Sequence, residues 1–153
     1  MNRKTFAVLL AFALGSGFTL SAFSQAKPET LVKSRQAKMT LQGKYLYSLI
    51  PMAQGKIPYD AKIVARNAEY LNVLQTMAWE DFDPRTADVK ETRALPAIYK
   101  EPAKFKAAQD RLNTEFVKFM ETVKSGNEAN TKTAIVELNR TCNACHGDFR
   151  SRD

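Results

Sequence analysis

From residue 28 onward, apolar positions recur at intervals of three and four, and no stretch shows convincing strand alternation. Four amphipathic helices are read from that period. The first opens at Pro28, a residue suited to the first helical position, and runs to about Met52. Its inward stripe is Leu31, Arg35, Met39, Leu46 and Leu49. A turn follows at Gly55 to Pro58. Asp60 is a fitting N-cap for the second helix, whose face is Val64, Ala68, Leu71, Leu74 and Ala78. From about Asp81 to Glu101 the pattern is irregular, with Pro84, Pro96 and Pro102 interrupting it. A connection of that length in a small domain suggests a crossover that covers something. The third helix shows Phe105, Leu112, Phe116, Phe119 and Val123 and stops at Ser125-Gly126. The fourth starts near Asn130 or Thr131 and carries Ile135, Leu138, Cys142, Cys145 and Phe149. Four helices joined by mostly short loops predict an all-α, antiparallel up-down four-helix bundle.

The first two helices hold more apolar surface than one bundle core needs. Leu41, Tyr45 and Met52 form a further stripe on the first, and Ile63, Tyr70, Val73 and Met77 one on the second. That surplus predicts an isologous helix–helix contact, hence a homodimer.

The first residues change the picture of where the chain works. Arg3 and Lys4 precede a short apolar run from Phe6 to Leu14, too short to span a membrane. Ala22-Phe23-Ser24 fits a small-x-small cleavage site, so residues 1–24 read as a signal peptide and 25–153 as the mature domain, with cleavage at Ala26 the alternative. Removing 24 of the 153 residues leaves 129, enough for one domain. Losing Arg3 and Lys4 lowers the formal net charge from +7 to +5. No Lys/Arg-rich block with interleaved aromatics occurs, so nucleic-acid binding is rejected. The modest basic excess suits solubility and steering toward an acidic partner.

Both cysteines and the only histidine stand together in Cys142-Asn143-Ala144-Cys145-His146. The spacing C-x-x-C-H is the attachment signature of a c-type haem. Two thiols three residues apart can each form a thioether to a porphyrin vinyl group, and the following imidazole can bind iron as proximal ligand. A zinc site would need about four ligands and the cluster offers three. A thioredoxin-like pair would need a βαβ context, and a disulfide would close only a tiny loop. One covalent haem c in the bundle core is therefore expected, and export agrees with it. Helical spacing puts both thiols on the buried face, with His146 one turn beyond Cys142. Arg35 is a lone charge in an apolar stripe, for which a haem propionate is a natural partner.

These residues, with Lys27-Pro28-Glu29, Arg35-x-x-x-Met39, Gly55-x-x-Pro58-Tyr59-Asp60-Ala61, Trp79 and Cys142-x-x-Cys145-His146-x-x-Phe149-Arg150, resemble the cytochrome c′ family, the class II c-type cytochromes. The resemblance covers essentially the whole mature chain, and its most diagnostic part is the haem motif near the C-terminus. It implies that Cys142 and Cys145 hold the haem and that His146 is the proximal ligand. It also places Arg150 beside the proximal imidazole, Met39 in the distal pocket, and Trp79, with Phe82 nearby, close to the haem. If Met39 packs as a hydrocarbon, iron stays five-coordinate; if its sulfur reaches the metal, Met39 is a sixth ligand. The expected protein is a periplasmic haem protein, not an enzyme, binding nitric oxide and carbon monoxide and exchanging one electron with an unidentified periplasmic redox partner. Its distal pocket would be apolar, without His, Asn or Gln, and no membrane contact would remain after signal cleavage. The alternatives are a low-spin electron carrier with Met39 on iron, and a haem-free helical adaptor.

Overall fold

A computed structural model describes residues 26–152, so the expected leader and its cleavage point lie outside the described residues. Four long helices form the body: α1 (Pro28–Ala53), α2 (Ala61–Ala78), α4 (Pro102–Ser125) and α5 (Glu128–Phe149). A one-turn helix, α3 (Ala97–Lys100), lies in the crossover between α2 and α4, which also holds two 3₁₀ turns, Trp79–Asp81 and Pro84–Thr86. α1 packs on α2, α2 on α4, α4 on α5 and α5 back on α1, which closes the ring of a four-helix bundle. Strand character is limited to one isolated bridge between Ala94 and Arg150 among the described residues.

Local chemistry accounts for the helix ends. Pro28 and Pro102 start α1 and α4, where a missing N–H is harmless. Asp60 caps α2 by accepting from the Lys62 and Ile63 amides. Gly126 ends α4 in the left-handed conformation at φ +68°, and Gly55 makes the other tight turn at φ +70°. The fourth long helix begins earlier than its apolar pattern suggests. Its cap is Asn127, whose side chain accepts from the Asn130 amide, so the first turn is a polar one that periodicity does not register. Pro102, read as an interruption, is the first residue of α4.

The main core gathers Leu46, Leu49, Met52, Val64, Ala68, Leu71, Leu112, Phe116, Phe119, Ile135 and Leu138. Two positions of α1 depart from the sequence reading. Met52, assigned to the outer stripe, is buried in this core, because 26 helical residues let the inward face drift around the axis. Near the start of α1, Val32 rather than Leu31 is fully buried, while Leu31 and Met39 are half-buried. Leu41, Tyr70, Val73 and Met77 remain exposed, while Tyr45 and Ile63, also assigned to the outer stripe, are half-buried and pack against the main core.

The topology sorts the molecule into two ends. The glycine turns lie at one. The other collects the start of α1, the end of α2, the start of α4 and the end of α5, closed over by the crossover. A second apolar cluster of Ile98, Phe105 and Phe149 forms there, with Trp79, Phe82, Ala94 and Cys145 packed against it.

Candidate functional site

The three chemical residues of α5 lie at the crossover end. Cys142 and Cys145 are free thiols, both half-buried. Cys142 packs against the main core and Cys145 against the second cluster. Burial, reinforced by the neighbouring Cys145, pushes the Cys142 thiol up to about 11. Cys145 is raised too, first by burial and then by Asp148. Both are therefore neutral S–H groups at ordinary pH. His146 is pulled down to about 4, by burial first and then by the charges of Arg150 and Arg93. Its imidazole is neutral, the form that binds a metal.

The crossover is stitched to the end of α5. The Leu95 amide donates to the Phe149 carbonyl at 2.9 Å, and the Ser151 amide donates to the Arg93 carbonyl at 2.8 Å. This pairing brings Arg93 and Arg150 to the His146 side of the bundle. A cleft of about 120 Å³ runs beside Cys145 between α4 and α5, lined by Ala107, Ala108, Thr141, Ala144 and Cys145 with Lys104, Arg111 and Asp148 at hand.

On α1, Arg35 is buried and reaches into the crossover. Its guanidinium donates to the Asp81 carbonyl at 3.1 Å, to Thr86 Oγ1 at 3.4 Å and to Thr92 Oγ1 at 2.7 Å. It also stacks over the Phe82 ring, 4.5 Å from the centroid. All of these partners are uncharged. One turn on, Lys38 pairs with the Asp81 carboxylate at 2.7 Å. Trp79 and Phe82 join Phe105 and Phe149 in a chain of ring contacts 5.0 to 6.2 Å apart.

These residues fit a covalently held haem. The donor set is two neutral thiols and one neutral imidazole on successive turns of one helix, within an aromatic and apolar setting. A thiol adding across a vinyl group puts its sulfur on one carbon and its hydrogen on the other, so neutral thiols are suitable reactants. No group of three or more His, Cys, Asp or Glu able to hold a bare metal ion occurs among the described residues.

The family model for cytochrome c′ matches residues 30–150. The chain belongs to the cytochrome c′ family. It is 33% identical over 126 residues to the cytochrome c′ of Rubrivivax gelatinosus, covering 82% of this chain and 98% of that one. It is 32% identical over 127 residues to the Alcaligenes xylosoxydans xylosoxydans protein, covering 83% and 98%. The crystal structure of the Rubrivivax gelatinosus protein superposes with a TM-score of 0.78 at 34% identity, covering 82% of this chain and 98% of that chain. A nitric oxide complex of a leucine-to-alanine mutant of the Alcaligenes xylosoxidans protein does so at 0.78 and 31%, covering 84% and 99%. Cytochromes c′ carry a covalently attached haem c, with which Cys142 and Cys145 are consistent. Membership sets aside the haem-free adaptor.

The sequence-picked residues Arg35, Trp79, Cys145, His146 and Arg150 collect at the crossover end, with Met39 one turn beyond Arg35 on α1. Sequence reading missed the hydroxyls of Thr86 and Thr92, which hold Arg35 from 51 and 57 residues away. It also missed Gln75, a polar side chain in the buried stripe of α2. Its only signal was that position 75 lies four residues from both Leu71 and Trp79, where an apolar residue would be expected.

Proposed function

We propose that this cytochrome c′ is exported to the periplasm and binds nitric oxide and carbon monoxide at a haem held by Cys142, Cys145 and His146. The observation that carries this reading is the neutral thiol–thiol–imidazole set on one helix end, in a chain whose structural relatives include nitric oxide complexes. When bound, the haem iron supplies a site for diatomic ligands and a one-electron couple.

The chain's own residues define what surrounds that iron. His146 would occupy the proximal side, with burial first and then Arg150 and Arg93 keeping the imidazole unprotonated. Arg35 would hold a propionate. It is a buried cation with no carboxylate within ion-pair distance among the described residues, and such a charge calls for an anion. Met39 would stand over the sixth position as a half-buried thioether, and Trp79 would flank the ring. No nucleophile paired with a base is among these residues, and we assign binding and electron exchange rather than turnover.

Met39 is half-buried and belongs to neither apolar cluster, so its sulfur is not locked by core packing. That favours a second reading, in which Met39 ligates iron in an electron carrier. Absorbance spectra of purified holoprotein separate the two. A high-spin ferric spectrum, with rapid carbon monoxide binding by the reduced form, is expected. Replacing Met39 with Ala should speed that binding and leave the resting spin state unchanged. A low-spin wild type that Met39→Ala converts to high-spin would install Met39 as sixth ligand instead.

A further inference from the structure

Cross-helix hydrogen bonds fix the register of α1 on α2. Lys38 Nζ donates to the Met77 carbonyl at 3.0 Å, and Gln42 Nε2 donates to the Leu74 carbonyl at 3.2 Å. The two bonds bracket Met39 on α1 and Gln75 on α2, so these residues stand at one level of the bundle. Gln75 belongs to the buried stripe of α2 and is only 9% exposed.

Counting protons orients its amide. The Thr76 hydroxyl donates its single hydrogen to the Asn72 carbonyl at 3.2 Å, so toward Gln75 it can only accept. Gln75 Nε2 donates to it at 3.1 Å. The amide oxygen is thereby turned away from Thr76, and it is buried without a hydrogen-bond partner. One helical turn further on, the Trp79 indole N–H is also buried without a partner. An orphan acceptor on the last turn of α2 and an orphan donor on its C-cap residue, which keeps helical backbone angles, thus lie four residues apart, a spacing at which side chains are neighbours. Unmet buried polar groups are rare, and one water can answer both of these. It would accept from the indole, donate to the amide oxygen, and keep one O–H free.

Building on the haem reading above, we propose that Gln75 and Trp79 hold a water at the level of Met39 whose free O–H hydrogen-bonds the gas ligand. The ligand pocket then has one polar side, rather than the wholly apolar lining the sequence suggests. It favours diatomics that carry negative charge on their outer atom.

The probe is carbon monoxide on the reduced holoprotein. A donor facing bound carbon monoxide lowers its C–O stretch. The wild-type stretch should shift in D₂O. Gln75→Leu and Trp79→Phe should each raise the stretch by a similar amount and abolish the D₂O shift, and the double variant should go no further. Trp79 is the only tryptophan of the chain, so its indole ¹H–¹⁵N resonance is unambiguous in the same diamagnetic complex. That proton should exchange slowly in the wild type and at least tenfold faster in Gln75→Leu. A wild-type stretch indifferent to D₂O and equal to that of Gln75→Leu would overturn the proposal, as would an indole resonance that Gln75→Leu leaves unmoved. Failure of the wild type to bind carbon monoxide at all would overturn the haem reading beneath it.

Discussion

Replacing Asp81 with Asn removes one charge from a pair that is almost out of water. The Lys38 and Asp81 side chains are 15% and 7% exposed, and their charged atoms are 2.7 Å apart. Breaking one side of a buried pair costs about 3–5 kcal/mol, because the remaining charge keeps its desolvation without its partner. Lys38 retains the Met77 carbonyl at 3.0 Å and some contact with water, so the loss should fall just short of that range, at roughly 2–3 kcal/mol. For a domain of this size that is a fall in melting temperature of about 8–12 °C. Thermal unfolding of the holoprotein, followed by far-ultraviolet circular dichroism, measures it. Because the pair is shielded, the loss should persist at about 1 M salt, where surface pairs are screened within roughly 3 Å. The double variant Lys38→Met with Asp81→Leu should recover most of the loss, since apolar replacements leave no orphan charge. There is a functional consequence as well. Lys38 adjoins Met39, and the Asp81 carbonyl receives Arg35, so the substitution loosens α1 at the level of the ligand pocket and should speed carbon monoxide association. A loss below about 0.5 kcal/mol, the worth of an exposed pair, would refute the reasoning.

Three further outcomes are expected. Haem should stay with the protein through acid and organic extraction, and Cys142→Ser should leave it joined by a single thioether, visible as a changed reduced-pyridine spectrum. Acid should release the proximal ligand late. A neutral His146 held at about 4 keeps its stabilising contribution above the usual histidine range and loses it as pH falls from about 6.5 through about 4. Iron competes with the proton in the holoprotein, so a ferric spectral transition from His146 with a midpoint above about 5.5 would contradict the assignment. Finally, Val73, which is 58% exposed, lies in the outer stripe with Leu41, Tyr70 and Met77. Val73→Glu should turn a sedimenting dimer into a monomer, whereas a wild type that is monomeric at micromolar concentration removes the dimer.

What could be read in the sequence depended on whether the governing interaction was local. The long helices were legible because each buries one face, and a period of 3.6 is written into Leu112, Phe116 and Phe119 as plainly as into Val64, Ala68 and Leu71. Asp60 and Gly126 were legible because a cap or a left-handed turn is decided within a few residues. The Cys142, Cys145 and His146 set was legible because covalent attachment to a rigid ring demands a fixed spacing. The short α3 and the partners of Arg35 were not. Arg35 is held by contacts 46 to 57 residues apart, to hydroxyls and a carbonyl that no composition marks out, and α3 is a single turn resting on α4 and α5. Gln75 escaped for a related reason. A polar residue in an apolar stripe is significant only once its partners are known, and here the lack of a partner is the finding.

The two ends of the bundle divide the work between stability and chemistry, and this can be argued from where the pattern is kept and where it is broken. The main core cluster is apolar, with Phe119 and Leu49 fully buried, and the buried polar residues at that end have protein partners: Asn67 donates to the Tyr45 carbonyl and Ser48 Oγ, and Thr131 to the Asn127 carbonyl. At the crossover end the same helices carry Arg35, Lys38, Gln75, Cys145 and His146 on or beside their inward faces. Each of these costs stability unless something meets it, and local violations of a folding pattern are where function is expected. Phe119→Ala should therefore cost about 3–5 kcal/mol while leaving the iron spectrum of the folded fraction unchanged. Gln75→Leu should do the reverse. It puts an apolar side chain into an apolar stripe and breaks no hydrogen bond between Gln75 and another helix, so stability should change by less than about 1 kcal/mol, while the environment of the bound ligand changes. If the two substitutions instead moved stability and spectrum together, the ends would be coupled through the helices. The site could not then be treated as a device mounted on a separately stabilised frame.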